Sequence, residues 1–191
     1  SMDPGLNNPV CCHFYATDGD GTVYVIAEHY EQGKSVAYHA KMIKEIAKRL
    51  DWHGDGKGRI SALIDSAASQ RTLASSKSVA ELFYDEGILV DTRVNKDLFS
   101  GINRVKEYLK PVSAPDRPRL YIFSSCVNLI REIKGYWWGE GDVPKKRDDH
   151  ALDELRYFIM SRPEPYVPPV VKSEIALDKE RLIRKLRRSG R

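Results

Sequence analysis

Three carboxylates far apart in the chain are the residues whose type and setting suit chemistry. Asp3 heads Asp3-Pro4-Gly5-Leu6-Asn7-Asn8-Pro9, Asp65 closes the apolar run Ile60-Ser61-Ala62-Leu63-Ile64, and Asp153 lies in His150-Ala151-Leu152-Asp153-Glu154-Leu155-Arg156-Tyr157. Hard divalent cations take oxygen ligands, so carboxylates gathered from separate elements suit a site for two such ions. Sites of that kind hydrolyse phosphodiesters. Each acid also has a plainer reading. Pro4-Gly5 would turn the chain and hold Asp3 at a strand end, but Asp-Pro-Gly is a common turn. Asp65 sits where a parallel strand would present a ligand, or where Ser66-Ala67-Ala68 would need an N-cap.

The Asp153 segment carries more. As a helix over 149–160, at about 100° per residue, it puts Ala151, Leu152, Leu155, Phe158 and Ile159 on a core stripe. His150, Asp153 and Tyr157 share a neighbouring face. His150 and Asp153 are one turn apart, so both could reach one ion or one phosphate. A capped helix with a solvated polar face would look the same. Lys145-Lys146-Arg147 come directly before. Cations beside a carboxylate site suit a passing phosphate backbone, and Arg71 is a further candidate. Binding of that kind weakens steeply with salt.

Competing motifs fail on spacing. A calcium loop starting at Asp18 of Asp18-Gly19-Asp20-Gly21 would need Glu at its twelfth position, which is His29. A phosphate loop ending at Lys57 would need Ser or Thr next and Gly at its start, but Gly58 and Asp51 stand there. Cys11, Cys12 and Cys126 lack zinc spacing and read as reduced, buried thiols.

The elements that must position the acids can be read along the chain. Residues 10–16 and 23–29 are strand-like and flank the Asp-Gly turn, a hairpin signal. A helix is expected over 35–50, a buried strand over 59–65, a helix over 76–85 and an extended piece over 88–93. A further helix spans 97–109 with Leu98, Ile102, Val105 and Leu109 on one stripe. Residues 111–118 read as a linker, 119–123 as a strand and 127–133 as the start of a helix. Trp137-Trp138 belongs to a hairpin, where a packed aromatic pair is expected over a tip that touches DNA. Strands first, then strands alternating with helices, predict an α/β domain with a mixed sheet flanked by helices.

The 191 residues suffice for one domain with a real core. No apolar stretch is long enough to span a membrane, and no leader is evident. The net charge of +4 is uneven, because 172–191 holds eight Lys or Arg against three acids. A basic tail on a near-neutral body suits a polyanion or an acidic partner. Ser1-Met2 reads as a cloning remnant, 3–162 as the domain, and 163–191 as a Pro-rich hinge with a basic tail.

Asp3-Pro4-Gly5 with Asn8-Pro9, the strand-end Asp65 and the helix His150-x-x-Asp153-x-Leu155-Arg156-Tyr157 together resemble the nuclease domain of tailed-phage terminase large subunits. The likeness covers about residues 3–162, and the closing helix is its most specific part. The resemblance implies a ribonuclease H-like fold. It implies a metal-dependent endonuclease that cuts concatemeric viral double-stranded DNA during genome packaging in the host cell cytoplasm. It implies two Mg²⁺ or Mn²⁺ ions on Asp3, Asp65 and Asp153, with His150 near the metal as ligand or proton shuttle. Asp3 and Asp65 would share one ion, and Asp153 with Asp65 or His150 would hold the other. An ATPase domain N-terminal to this one, a portal protein and a small terminase subunit are the implied partners. The family's apolar strand before its first Asp is expected to be missing here. Glu154 stands where the family commonly has Ala and reads as a surface residue. The alternatives are a resolvase-type nuclease of the same fold, a non-catalytic DNA- or portal-binding module, and a structural subunit that docks through its tail.

Overall fold

The protein is described from a computed structural model that covers residues 1–5, 8–52, 54, 58–71, 76–111, 117–139, 143–144 and 149–161. The tail, the Pro-rich hinge and Lys145-Lys146-Arg147 fall outside the described residues.

The core is a mixed sheet between two helical layers. Strands β1 (Met2–Asp3), β2 (Val10–Thr17), β3 (Val23–Glu31) and β6 (Leu120–Ile122) lie in that order. β1, β2 and β3 pair antiparallel, and β6 joins β3 in parallel. β4 (Ile60–Leu63) and β5 (Ile88–Asp91) form a parallel pair. A parallel bridge between Met2 and Ile64 attaches that pair to β1, so the strands run β5-β4-β1-β2-β3-β6. β2 is buried on both faces through Phe14, as its unbroken apolar run requires.

One face of the sheet carries α1 (Val36–Arg49) and α2 (Val79–Asp85). There Ile43, Phe83 and Ile88 pack with Met2, Phe14 and Ile64. The other face carries α3 (Leu98–Leu109), α4 (Val127–Gly135) and α5 (His150–Met160). There Leu129, Leu155 and Ile159 pack with Cys11, Val23 and Val25. Local chemistry sets the helix starts. Ser35 caps α1 through Tyr38 N–H, and Asp97 caps α3 through Ser100 N–H. Ser78 and Glu81 form a capping box on α2.

Four expectations are corrected. The strand before the first acid is present in short form: Met2 is fully buried, lies between β2 and β4, and pairs with Cys12. β4 is half-exposed rather than buried, because a cavity of about 680 Å³ lined by Phe14, Tyr15, Ile60 and Leu63 lies against it. The 97–109 stripe is shifted: Gly101, Ile102 and Tyr108 are buried, while Leu109 is exposed. Trp137 and Trp138 are about half exposed rather than packed away, with Lys106 Nζ 5.2 Å from the Trp138 ring centre.

Candidate active site

Three elements bring the predicted residues to one end of the sheet. Asp3 ends β1. Gly5 follows it because a Cβ there would overlap the carbonyl of Asn8. Asp65 follows the Met2–Ile64 bridge at a strand end and caps the 3-10 turn Ser66–Ser69 through Ala67 N–H at 2.7 Å, so the N-cap role is compatible with the strand-end position. His150 and Asp153 occupy the first turn of α5, which packs on β1 and β2.

The contacts tie these residues together. His150 Nδ1 lies 3.3 Å from Asp3 Oδ2. The Tyr157 hydroxyl donates to Asp65 Oδ2 at 3.0 Å. Asp65, Lys96, Tyr136, Asp153, Arg156 and Tyr157 all line a cavity of about 240 Å³. Lys96 Nζ donates to Asp65 Oδ1 at 2.7 Å, and Arg156 donates to Asp153 Oδ1 at 2.7 Å.

Electrostatics report the same convergence. Burial first, then the charges of Asp153, Asp65 and Asp3, hold the Tyr157 phenol far above its usual value. Burial raises the Asp3 carboxyl, with the nearby Asp65 charge adding to it against the His150 hydrogen bond. Burial would raise Asp65 too, but Lys96, Ala67 N–H and Tyr157 outweigh it and hold that carboxyl low. The Asp3 hydrogen bond raises His150 against its burial.

The gathering is looser than a closed ligand cage. Among the described residues, the Cys/His/Asp/Glu group whose ligand atoms lie within 4.8 Å of one another is Cys11, His13 and Glu154, not the predicted trio. That buried group is occupied internally: Glu154 Oε2 is 2.5 Å from His13 Nδ1 and accepts from the Tyr15 hydroxyl at 2.7 Å. Glu154 is fully buried, which corrects its reading as a surface residue. It lies one position beyond Asp153 and faces the sheet, where His13 compensates its charge.

Arg71 stands apart, with its guanidinium forked onto Glu81 of α2. Lys96 escaped the sequence reading, and Arg156 entered it only as part of the closing helix motif, without its pairing to Asp153. That pairing was accessible, since Arg156 is three residues from Asp153 on the same helix. Lys96 was not, because it is 31 positions from Asp65 and has no local pattern around it.

The donor set, three carboxylates and an imidazole, fits hard divalent ions, with Asp65 and Asp153 lining one cavity and Asp3 paired with His150. Lys96 and Arg156 each set a positive head group against one of the carboxylates, as a bound cation would.

Comparison with known proteins gives the context. A terminase RNaseH-like domain family matches residues 1–162. No curated protein sequence matches the chain closely. The fold is similar to the P22 large terminase nuclease domain at TM-score 0.65 and 19% identity, covering 84% of this chain and 78% of that one. It is similar to the large terminase of a thermophilic bacteriophage at TM-score 0.63 and 20% identity, covering 84% of this chain. The chain spans 38% of the length of that terminase.

Proposed function

The chain belongs to the terminase RNaseH-like domain family, and from that premise we propose that it is a metal-dependent endonuclease domain that cuts double-stranded viral DNA during packaging in the host cell cytoplasm. The observation that carries the proposal is a set of contacts: the Tyr157 hydroxyl donates to Asp65, Asp65 and Asp153 line one cavity, and His150 of the same helix meets Asp3.

In this reading Asp3, Asp65, Asp153 and His150 hold two Mg²⁺ or Mn²⁺ ions. Such ions lower the pKa of a bound water and stabilise charge on a leaving oxygen of the phosphodiester. Tyr157 fixes the Asp65 carboxylate. Lys96 and Arg156 neutralise Asp65 and Asp153 until the ions enter, so the paired carboxylates do not face one another bare. Lys145, Lys146, Arg147 and Arg71 contact the DNA backbone. An ATPase domain, a portal protein and a small terminase subunit are the partners within the packaging machine.

The test is nicking of supercoiled plasmid with Mn²⁺ by Asp65→Asn and Asp153→Asn. Each should lose at least about 100-fold in rate, close to 3 kcal/mol of barrier. Wild-type nicking by both variants would refute the site. The ion pairs on Asp65 and Asp153 favour one competitor, a DNA- or portal-binding module that does not cut. It predicts duplex binding with no metal-dependent nicking in the unaltered chain.

A further inference from the structure

We propose that Glu132 is a positioning residue for this site: it supplies from α4 the cap that α5 lacks, and so sets the turn that carries His150 and Asp153. The proposal rests on the nuclease reading above.

The first N–H groups of a helix have no partner within it. Asp149, the residue at the start of α5, makes no capping bond with its side chain. Glu132 does that work from another helix. Its Oε2 accepts Ala151 N–H at 2.7 Å and Leu152 N–H at 3.2 Å, the two amides between His150 and Asp153. Its Oε1 accepts from the Tyr30 hydroxyl of β3 at 2.8 Å. Glu132 is only 3% exposed, and a buried carboxylate is costly unless its hydrogen bonds are made.

α4 is held in turn by the sheet. Glu28 of β3 accepts Asn128 N–H at 2.8 Å and Leu129 N–H at 3.2 Å, at the start of α4. Two carboxylates, Glu28 partly buried and Glu132 buried, therefore act in series, from β3 to α4 and from α4 to α5. Asp3 leaves the same sheet at β1, so the series fixes how His150 and Asp153 face Asp3. Misplacement of a reacting group by about 1 Å can cost on the order of 100-fold in rate.

The experiment compares Glu132→Ala, Glu132→Gln and Asp65→Asn with the unaltered chain, each well below its own melting temperature. Mn²⁺ affinity is read by electron paramagnetic resonance of the free ion, and plasmid nicking is read at saturating Mn²⁺. Glu132→Ala should weaken Mn²⁺ binding about 10-fold and slow nicking on the order of 100-fold. Glu132→Gln keeps an acceptor oxygen and should restore both to within about 5-fold of the unaltered chain. A lower melting temperature with unchanged Mn²⁺ affinity and nicking would overturn the positioning role, as would equal losses in the Ala and Gln variants. If Glu132→Ala does not fold, Glu132→Asp takes its place, since its shorter side chain withdraws from the two amides. The two readings fail separately. Full nicking by Asp65→Asn refutes the site itself, whereas a dead Asp65→Asn beside an unaffected Glu132→Ala refutes only the positioning role.

Discussion

His13 keeps its proton in the folded protein at neutral pH because two carboxylates outweigh the cost of burying it. Burial alone would lower the imidazole, but Glu154 and then Glu28 carry it up to about 9. A free imidazole titrates near 6.5. The pair's contribution is therefore complete below about pH 6.5 and is lost as pH rises through 9. Urea unfolding should show stability falling on the order of 3 kcal/mol across that window, and His13→Gln should flatten the fall. An equal fall in His13→Gln would exclude His13 as its source. At this scale the sequence carried the acids with His150 and Tyr157 and missed their other partners. Asp65 and Asp153 have strand-end and helix-face patterns around them, and Asp3 a turn. Lys96, Glu132 and His13 meet their partners only through tertiary packing, which leaves no local trace.

Helices α3 and α5 meet where α3 has no side chain. A Cβ at Gly101 would overlap Cγ and Cδ of Arg156, the stem of the side chain that reaches Asp153. Gly101→Ala gains up to about 1 kcal/mol of helix propensity. It also overpacks a tight contact at about 1–3 kcal/mol. The stem is buried and cannot swing aside freely, so overpacking should win. A net loss of about 1 kcal/mol is expected by thermal or urea unfolding, and a stabilised variant would contradict this packing. The same contact explains the shifted stripe on α3. Periodicity placed Leu109 inside with Leu98 and Ile102, but the face is aligned by the Gly101–Arg156 approach, which turns Tyr108 inward and leaves Leu109 exposed. The Asp65 cap and the turn at Asp18 were legible because their causes lie within a few residues. The half-exposure of β4 was not, because the cavity beside it belongs to the sheet and not to the strand.

As a whole, the molecule is a sheet in two parts: β1-β2-β3-β6 and β4-β5. The mixed α/β class could be read from the order of strands and helices. The junction could not, because a two-residue strand has no period to detect. Among the described residues the parts join in the sheet at the Met2–Ile64 bridge, with Tyr157 reaching across to Asp65. Asp65 rides on one part, while His150 and Asp153 ride on the helix packed against the other. No single element holds them apart at a fixed distance. A sub-global opening at the bridge would separate these charges while both parts kept their secondary structure. Nicking should therefore fade on warming several degrees before far-ultraviolet circular dichroism records melting. Superimposed curves would mean that the bridge gives way only when the whole domain does.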